Sequence, residues 1–485
     1  MNFKVISRNV GFALLVSALF MFISVLVSLA NGHDSALAAL SISFAITFTV
    51  GIFPFIFVRK TSEISMTDGY MIIFLSWLLS FICGMLPYLL WGGPFSAVNA
   101  WFESVAGFTT TGCTILDCVE DLPKSLLFWR SSTHFIGGLG VVVFLLLMIP
   151  QSSAMRLRLS NMELSSISKE NYAAGTNKIV YLFAYVYLVM NVLAFLTYWV
   201  LGMSAFEAVN HAFSVCSTGG FGTRNTSLAA FDSLPITIAT MVFMLAASLH
   251  FGMLFMVFAA RSLKPLRNPV FRFYIFSLLV ATVICGIGLK VGGISKDWAD
   301  AALQSSFHVI SYASTTGFAI SDNADWPLMV NVVLLVSGVV CGMAGSTTGG
   351  VKTDRLLIML KAIKKVVIKS VNPNVIYEVK LGRKQLREDD VYPHVLYIGV
   401  FTMMFLVSVV LCLIFGSDPD NAFAGPISCL ANVGPNIGRE SHFGSYNFEC
   451  AIVKIIYTID MFMGRIEIYP ILAVIHIIFR KRRQF

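Results

Sequence analysis

Charge is scarce in this sequence. Only 12% of residues are Asp, Glu, Lys or Arg, against about a quarter in an ordinary soluble domain, while 57% are hydrophobic. Such a chain cannot clothe a globular surface in water, which excludes a soluble enzyme or binding module. Metal-ligand spacing is absent from the nine cysteines. Cys83, Cys285, Cys341 and Cys412 sit inside apolar runs, as small inert residues do; Cys113 and Cys118 lie outside them and are near enough in sequence to bridge. No His-Glu-x-x-His occurs, and Asp460 has no acidic mate at its depth, so the hydrolase constellations are missing. Nucleotide fingerprints fail too. The glycines of Ile136-Gly137-Gly138-Leu139-Gly140 are wrongly spaced, and Lys352 falls one place late for a phosphate loop at Gly345–Gly350. The reading is a non-enzyme with no organic cofactor.

What the chain has is apolar length. Ten runs can span a bilayer, each needing about 20 residues. The net charge of +8 concentrates on the side that holds the N-terminus. The positive-inside rule therefore puts both termini in the cytoplasm and predicts no nucleic-acid partner, only membrane lipid. Lys4 and Arg8 precede a run too long for a signal-peptide core, which reads as an uncleaved first span. The acidic residues Asp117, Glu120, Asp121, Asp322, Asp325, Asp418 and Asp420 are expected at the outer mouths, where they would concentrate cations.

One short pattern recurs about every hundred residues: Thr110-Thr111-Gly112, Ser217-Thr218-Gly219, Thr315-Thr316-Gly317 and Asn432-Val433-Gly434. Each copy follows an apolar stretch too short to span and sits between two longer ones. The predicted fold is an all-α integral membrane protein. It comprises a two-helix hairpin (1–62) and four helix–pore loop–helix units (63–155, 156–265, 266–390, 391–485) around one ion path. Polar turns at membrane depth are tolerated only where they line a water-filled passage. Four glycine turns in a ring can present carbonyl oxygens in place of a cation's hydration shell.

Two other features interrupt apolar runs. The third unit's second span, starting near Leu328, is broken by Gly345-Ser346-Thr347-Thr348-Gly349-Gly350, expected to act as a mobile plug beneath the filter rather than a static kink. The last span carries Lys454, Asp460, Arg465 and Glu467. Charges there default to a functional role, an electrostatic barrier in the case of a lone cation below a filter, with structural pairing as the alternative. His211, His250 and His308 read as hydrogen-bonded packing residues. Alternation at Val375, Tyr377, Val379 and Leu381 predicts a strand before Gly382, either a docking edge or a solvated arm.

Together these features resemble the TrkH-type subunits of the Trk/Ktr/HKT superfamily of potassium transporters. The resemblance rests on Phe128-Trp129-Arg130 with His134 to Gly140, Ser217-Thr218-Gly219-Gly220-Phe221, Ser346-Thr347-Thr348-Gly349-Gly350 and Asn432-Val433-Gly434-Pro435. It implies potassium uptake across the cytoplasmic (inner) membrane, with the four glycine-bearing loops as a potassium-binding filter. Gly112, where sodium-transporting members can carry serine, favours potassium. It implies that Gly345–Gly350 and Arg465 form the gate, that the protein is a homodimer, and that a cytosolic nucleotide-binding (TrkA-like) subunit regulates it. Asn436 departs from the glycine common after the fourth filter. A symporter coupled to sodium or protons is the alternative.

Overall fold

The structure, a computed structural model, describes residues 1–58, 64–140, 176–258, 261–382, 384–466 and 468–482. Expectations that fall on 141–175, where the first unit ends and the second begins, or on Glu467 lie outside these. Helices dominate because apolar runs in lipid must satisfy every backbone group internally. Two antiparallel helices open the chain, α1 (Phe3–Ala30) and α2 (Leu37–Phe57). Asn2 caps α1, and the Asn2 amide also donates to Asp68 at 2.8 Å, tying the hairpin to the first turn of the third helix.

Four sets of helices come next. The first holds α3 (Met66–Gly84), α4 (Leu86–Trp91), the half-length α5 (Ala97–Phe108) and α6 (Lys124–Leu139). The second holds α7 (Thr176–Val200), the half-length α8 (Ala205–Ser217), α9 (Leu234–Ser248) and α10 (Phe251–Phe258). The third holds α11 (Pro269–Val291), the half-length α12 (Trp298–Ala313), α13 (Leu328–Val339) and α14 (Thr353–Val371). The fourth holds α15 (Glu388–Ile414), the half-length α16 (Pro419–Ala431), α17 (Ala451–Ile466) and α18 (Ile468–Arg482). Three half-length helices start at a side-chain cap, Ser96, Ser204 or Asp297; α16 starts with Pro419 in its first turn.

Six described helical spans, or seven with one bent pair, are long and apolar enough to cross a membrane. The ten apolar runs do not all become single straight helices. The run near Leu234–Ala259 is two: α9 and α10 meet at 113°. Leu249 is extended there (φ −87°, ψ 158°), leaving backbone groups around Ser248 without helical partners. The third set's break supplies them. Met343 donates to the Ser248 carbonyl at 2.9 Å, and Phe251 donates to that of Gly345 at 3.1 Å. Two interrupted helices thus satisfy each other's backbone.

Around that break, β1 (Val340–Cys341) and β2 (Val351–Lys352) pair in parallel, Val340 with Val351 and Cys341 with Lys352, closing Gly342–Gly350 into a loop. Beyond the membrane segments, β3 (Val379–Leu381) and β4 (Lys384–Leu386) form a short antiparallel hairpin turning at Gly382, so the expected strand is real but begins later.

Candidate functional site

Each half-length helix ends in the same way. The residue at its C-terminus turns left-handed: Thr110 (φ 53°), Thr218 (57°), Thr315 (53°) and Asn432 (56°). The next residue's amide folds back onto the helix, from Thr111 to Ala106 (3.0 Å), Gly219 to Ser214 (2.8 Å), Thr316 to Ser311 (2.9 Å) and Val433 to Ser428 (3.0 Å). A glycine at positive φ follows: Gly112, Gly220, Gly317 and Gly434. Asparagine tolerates the left-handed region, but threonine does not, because its branched Cβ crowds the backbone. Three threonines held there signal a conformation imposed by the surroundings, which is where functional strain accumulates.

This geometry moves one register. The second turn is Thr218-Gly219-Gly220, so Gly219 stands where the other turns have Thr111, Thr316 and Val433. Ser217 is still helical and hydrogen-bonds to the Phe213 and Ser214 carbonyls. The equivalent of Gly112 is Gly220, not Gly219.

The four turns form a closed ring. A Cβ placed on Gly112 would collide with the Gly219 carbonyl oxygen, one on Gly220 with that of Thr316, one on Gly317 with that of Val433, and one on Gly434 with that of Thr111. Each glycine is therefore pressed against a carbonyl of the next turn, round all four. All four glycines line a single recess. Among the described residues no group of three or more His, Cys, Asp or Glu is placed to hold a metal ion. The ring offers backbone oxygens instead.

Buried polar side chains brace it from behind. Glu103 on α5 pairs with Arg130 on α6 at 2.6 Å and accepts from Thr114 Oγ1 and the Ile115 amide, both 3.1 Å. Arg130 donates to the Gly222 carbonyl at 3.3 Å and lies 3.5 Å over the Phe221 ring. His134 also stacks on Phe221, with the ring centres 4.1 Å apart. On the opposite half, Asn323 donates to the Asn436 carbonyl at 3.0 Å, and the Asn436 amide donates to Glu440 O at 2.8 Å. Sequence reasoning singled out neither Glu103 nor Glu440; a lone acid in an apolar half-span was the available signal for Glu103, whereas Glu440 lies in a short turn after the fourth glycine turn.

Of the acidic residues expected at the mouth, Asp117 and Glu120 stand beside the recess, both bonded to Asn225 of its lining. Among the described residues the recess lining contains no carboxylate; it carries Arg130 and Arg224, which Glu103 and Glu207 neutralise, the latter at 2.8 Å. Asp117 and Glu120 instead fasten loops: Asp117 accepts from Asn447 Nδ2 at 2.9 Å and Glu120 from the Asn225 amide at 2.9 Å. Lys454 is equally occupied, donating to Asn99 and to the Asn447 carbonyl.

The Gly342–Gly350 loop lies directly against the left-handed residues. The Gly349 amide donates to Thr315 Oγ1 at 3.1 Å, and Thr218 Oγ1 donates to the Thr347 carbonyl at 3.1 Å. Arg465 on α17 donates to that same carbonyl at 2.6 Å and to the Gly137 carbonyl at the end of α6, also 2.6 Å. Lys352 Nζ reaches back to the Thr348 carbonyl, and Cys341 Sγ donates to that of Gly349 at 2.6 Å. Ser346 and Thr348 share a hydroxyl contact at 2.7 Å, and a side chain on Gly345 would meet the His250 ring. His211 and His308 use Nδ1 on carbonyls one turn back, Glu207 (2.9 Å) and Gln304 (2.8 Å), as packing residues do.

A helical membrane protein whose four half-length helices end on one ring of backbone oxygens is built to pass or hold something small, and defines a transport protein. Similarity to known proteins agrees. The model of the TrkH family, described as "Cation transport protein", matches residues 37–483. The chain is 32% identical to the Trk system potassium uptake protein TrkH of Salmonella typhimurium and to that of Escherichia coli, over 98% of both chains in each case. It superimposes on the crystal structure of the potassium transporter TrkH from Vibrio parahaemolyticus with a TM-score of 0.87, at 28% identity over 98% of each chain. This protein belongs to the TrkH family of cation transport proteins, which are transporters and not enzymes.

Proposed function

We propose that this protein takes up potassium across the cytoplasmic (inner) membrane, through a filter formed by the ring of four glycine turns. The closed circuit of glycine against neighbouring carbonyl carries the reading. Potassium is the cargo, and the groups that would bind it are backbone oxygens at Thr110–Gly112, Thr218–Gly220, Thr315–Gly317 and Asn432–Gly434. Each half-length helix also directs its C-terminal end, the negative end of its dipole, at the ring, which favours a cation there. The naming of full-length relatives as potassium uptake proteins supports the same cargo. In this reading the chain divides into a hairpin and four pore-loop units, both termini are cytoplasmic, and two copies form a homodimer surrounded by lipid. A cytosolic nucleotide-binding (TrkA-like) subunit acts from the side that holds the hairpin of β3 and β4.

Gly345–Gly350 and Arg465 form the gate. The loop blocks the inner side of the ring, and Arg465 latches it by its bond to Thr347 while adding a positive charge. In liposomes, Arg465→Gln is expected to raise potassium flux several-fold, because both the latch and the charge barrier weaken. Unchanged flux with an intact fold would remove Arg465 from the gate. One observation favours coupled symport as a second reading: Asp460 is buried on α17, with Ser408 Oγ donating to one carboxyl oxygen at 2.7 Å and no partner on the other among the described residues. Potassium flux that follows an imposed proton gradient, and ceases to in Asp460→Asn, would select it.

The test of the main reading is rubidium uptake by purified protein in vesicles, with sodium as competitor. Uptake that sodium at equal concentration barely reduces is expected; equal competition would reject a potassium filter.

A further inference from the structure

Cys113 follows Gly112 directly and lines the recess beside Gly434. Its sulfur lies 3.9 Å from that of Cys429 on α16 and donates to the Gly434 carbonyl at 3.2 Å. Both thiols are free and buried, and they join the first pore loop to the fourth half-length helix. Two sulfurs bound to one tetrahedral metal at about 2.3 Å stand about 3.8 Å apart. The observed separation therefore needs almost no movement to accept a metal.

We propose that Cys113 and Cys429, with the Gly434 carbonyl, form a binding site for a soft divalent cation in the wall of the ring. Thiolates select such ions over potassium, sodium or magnesium. On binding, each thiol gives up its proton to the recess as its sulfur takes the metal, so one doubly charged ion replaces two protons. The site stays neutral, which suits a dry setting where net charge is costly. A metal there clamps the first turn to the fourth and holds the Gly434 carbonyl, one of the groups flanking the ion path. It would obstruct cation flux, a consequence that rests on the filter reading above.

The experiment uses the full-length purified protein carrying Cys118→Ser and Cys450→Ser, which removes the two thiols that are not buried. Cadmium chloride is the probe, read by the ultraviolet absorption of cadmium–thiolate bonds and by equilibrium dialysis. About one cadmium per chain is expected, with thiolate absorption, and both are lost in Cys113→Ala and separately in Cys429→Ala. Binding that survives either substitution, absence of binding, or recovery of the pair as a disulfide overturns the site. Rubidium flux in vesicles then tests the obstruction: cadmium inhibits the two-serine background and loses that effect in Cys113→Ala. Cadmium bound through both cysteines without inhibition overturns the obstruction. Vesicles that pass no rubidium before cadmium is added would count against the filter reading and leave the binding result standing.

Discussion

Gly112→Ser is expected to cost most of the preference for potassium over sodium while leaving cation flux measurable. The position has φ +81°, where a residue with a Cβ pays about 1–2 kcal/mol. Its Cβ would also overlap the Gly219 carbonyl oxygen, which must then turn or retreat. A displaced oxygen leaves the ring with three carbonyls in place, and the fit that replaces a potassium ion's water is lost. If the strain alone were spent on potassium binding, the preference would fall about tenfold, at 1.4 kcal/mol per factor of ten. Gly92 is the control: its φ is +83°, yet nothing lies near a Cβ placed there. Gly92→Ser carries backbone strain of its own without touching the ring, and selectivity in that variant is expected to hold. Bi-ionic potassium–sodium measurements on both variants check the pair. An unchanged ratio in Gly112→Ser would detach the ring from selectivity.

Glu103→Gln is expected to destabilise the protein severely. The pair with Arg130 is almost inaccessible, with the Arg130 and Glu103 side chains 3% and 0% exposed. Breaking a buried pair by neutralising one partner strands the other charge, at a cost of about 3–5 kcal/mol. Glu103 also accepts from Thr114 and Ile115, which fixes the segment after Gly112, and Arg130 holds Gly222 and Phe221 after Gly220. Loss of the pair therefore loosens two adjacent turns together. Thermal unfolding in detergent should show a drop in Tm for Glu103→Gln. The double variant Glu103→Gln/Arg130→Met should recover part of it, because no charge is then left unpaired. A single variant as stable as the parent would show that the pair contributes little.

Much of the fold was legible because lipid imposes one solution on long apolar runs. The half-length stretches and glycine turns at matching places also stood out, since polar glycine-bearing turns are rare at that depth. The register of the second turn was not legible. Thr218-Gly219-Gly220 offers two adjacent glycines, and the Ser/Thr-Thr-Gly pattern selects the first; only the backbone angles assign positive φ to Thr218 and Gly220. The break before His250 was hidden for another reason. Leu249 carries no glycine or proline signal, and the bend exists because a loop from the third set caps the exposed carbonyls. Whether the carboxylates near the mouth face the ion path was not legible, because composition cannot separate such a group from one fastening a loop, as Asp117 does beside the recess. Cys113 and Cys118 are near enough in sequence to bridge, yet both are free, and Cys113 lies against Cys429 from another quarter of the chain.

The central claim concerns where a permeating cation rests. Crystals grown in rubidium or thallium, measured at the ion's absorption edge, test it directly. The account predicts anomalous density inside the ring bounded by the carbonyl oxygens of Thr111, Gly219, Thr316 and Val433. Density confined to other cavities, with the ring empty at saturating rubidium, would contradict it.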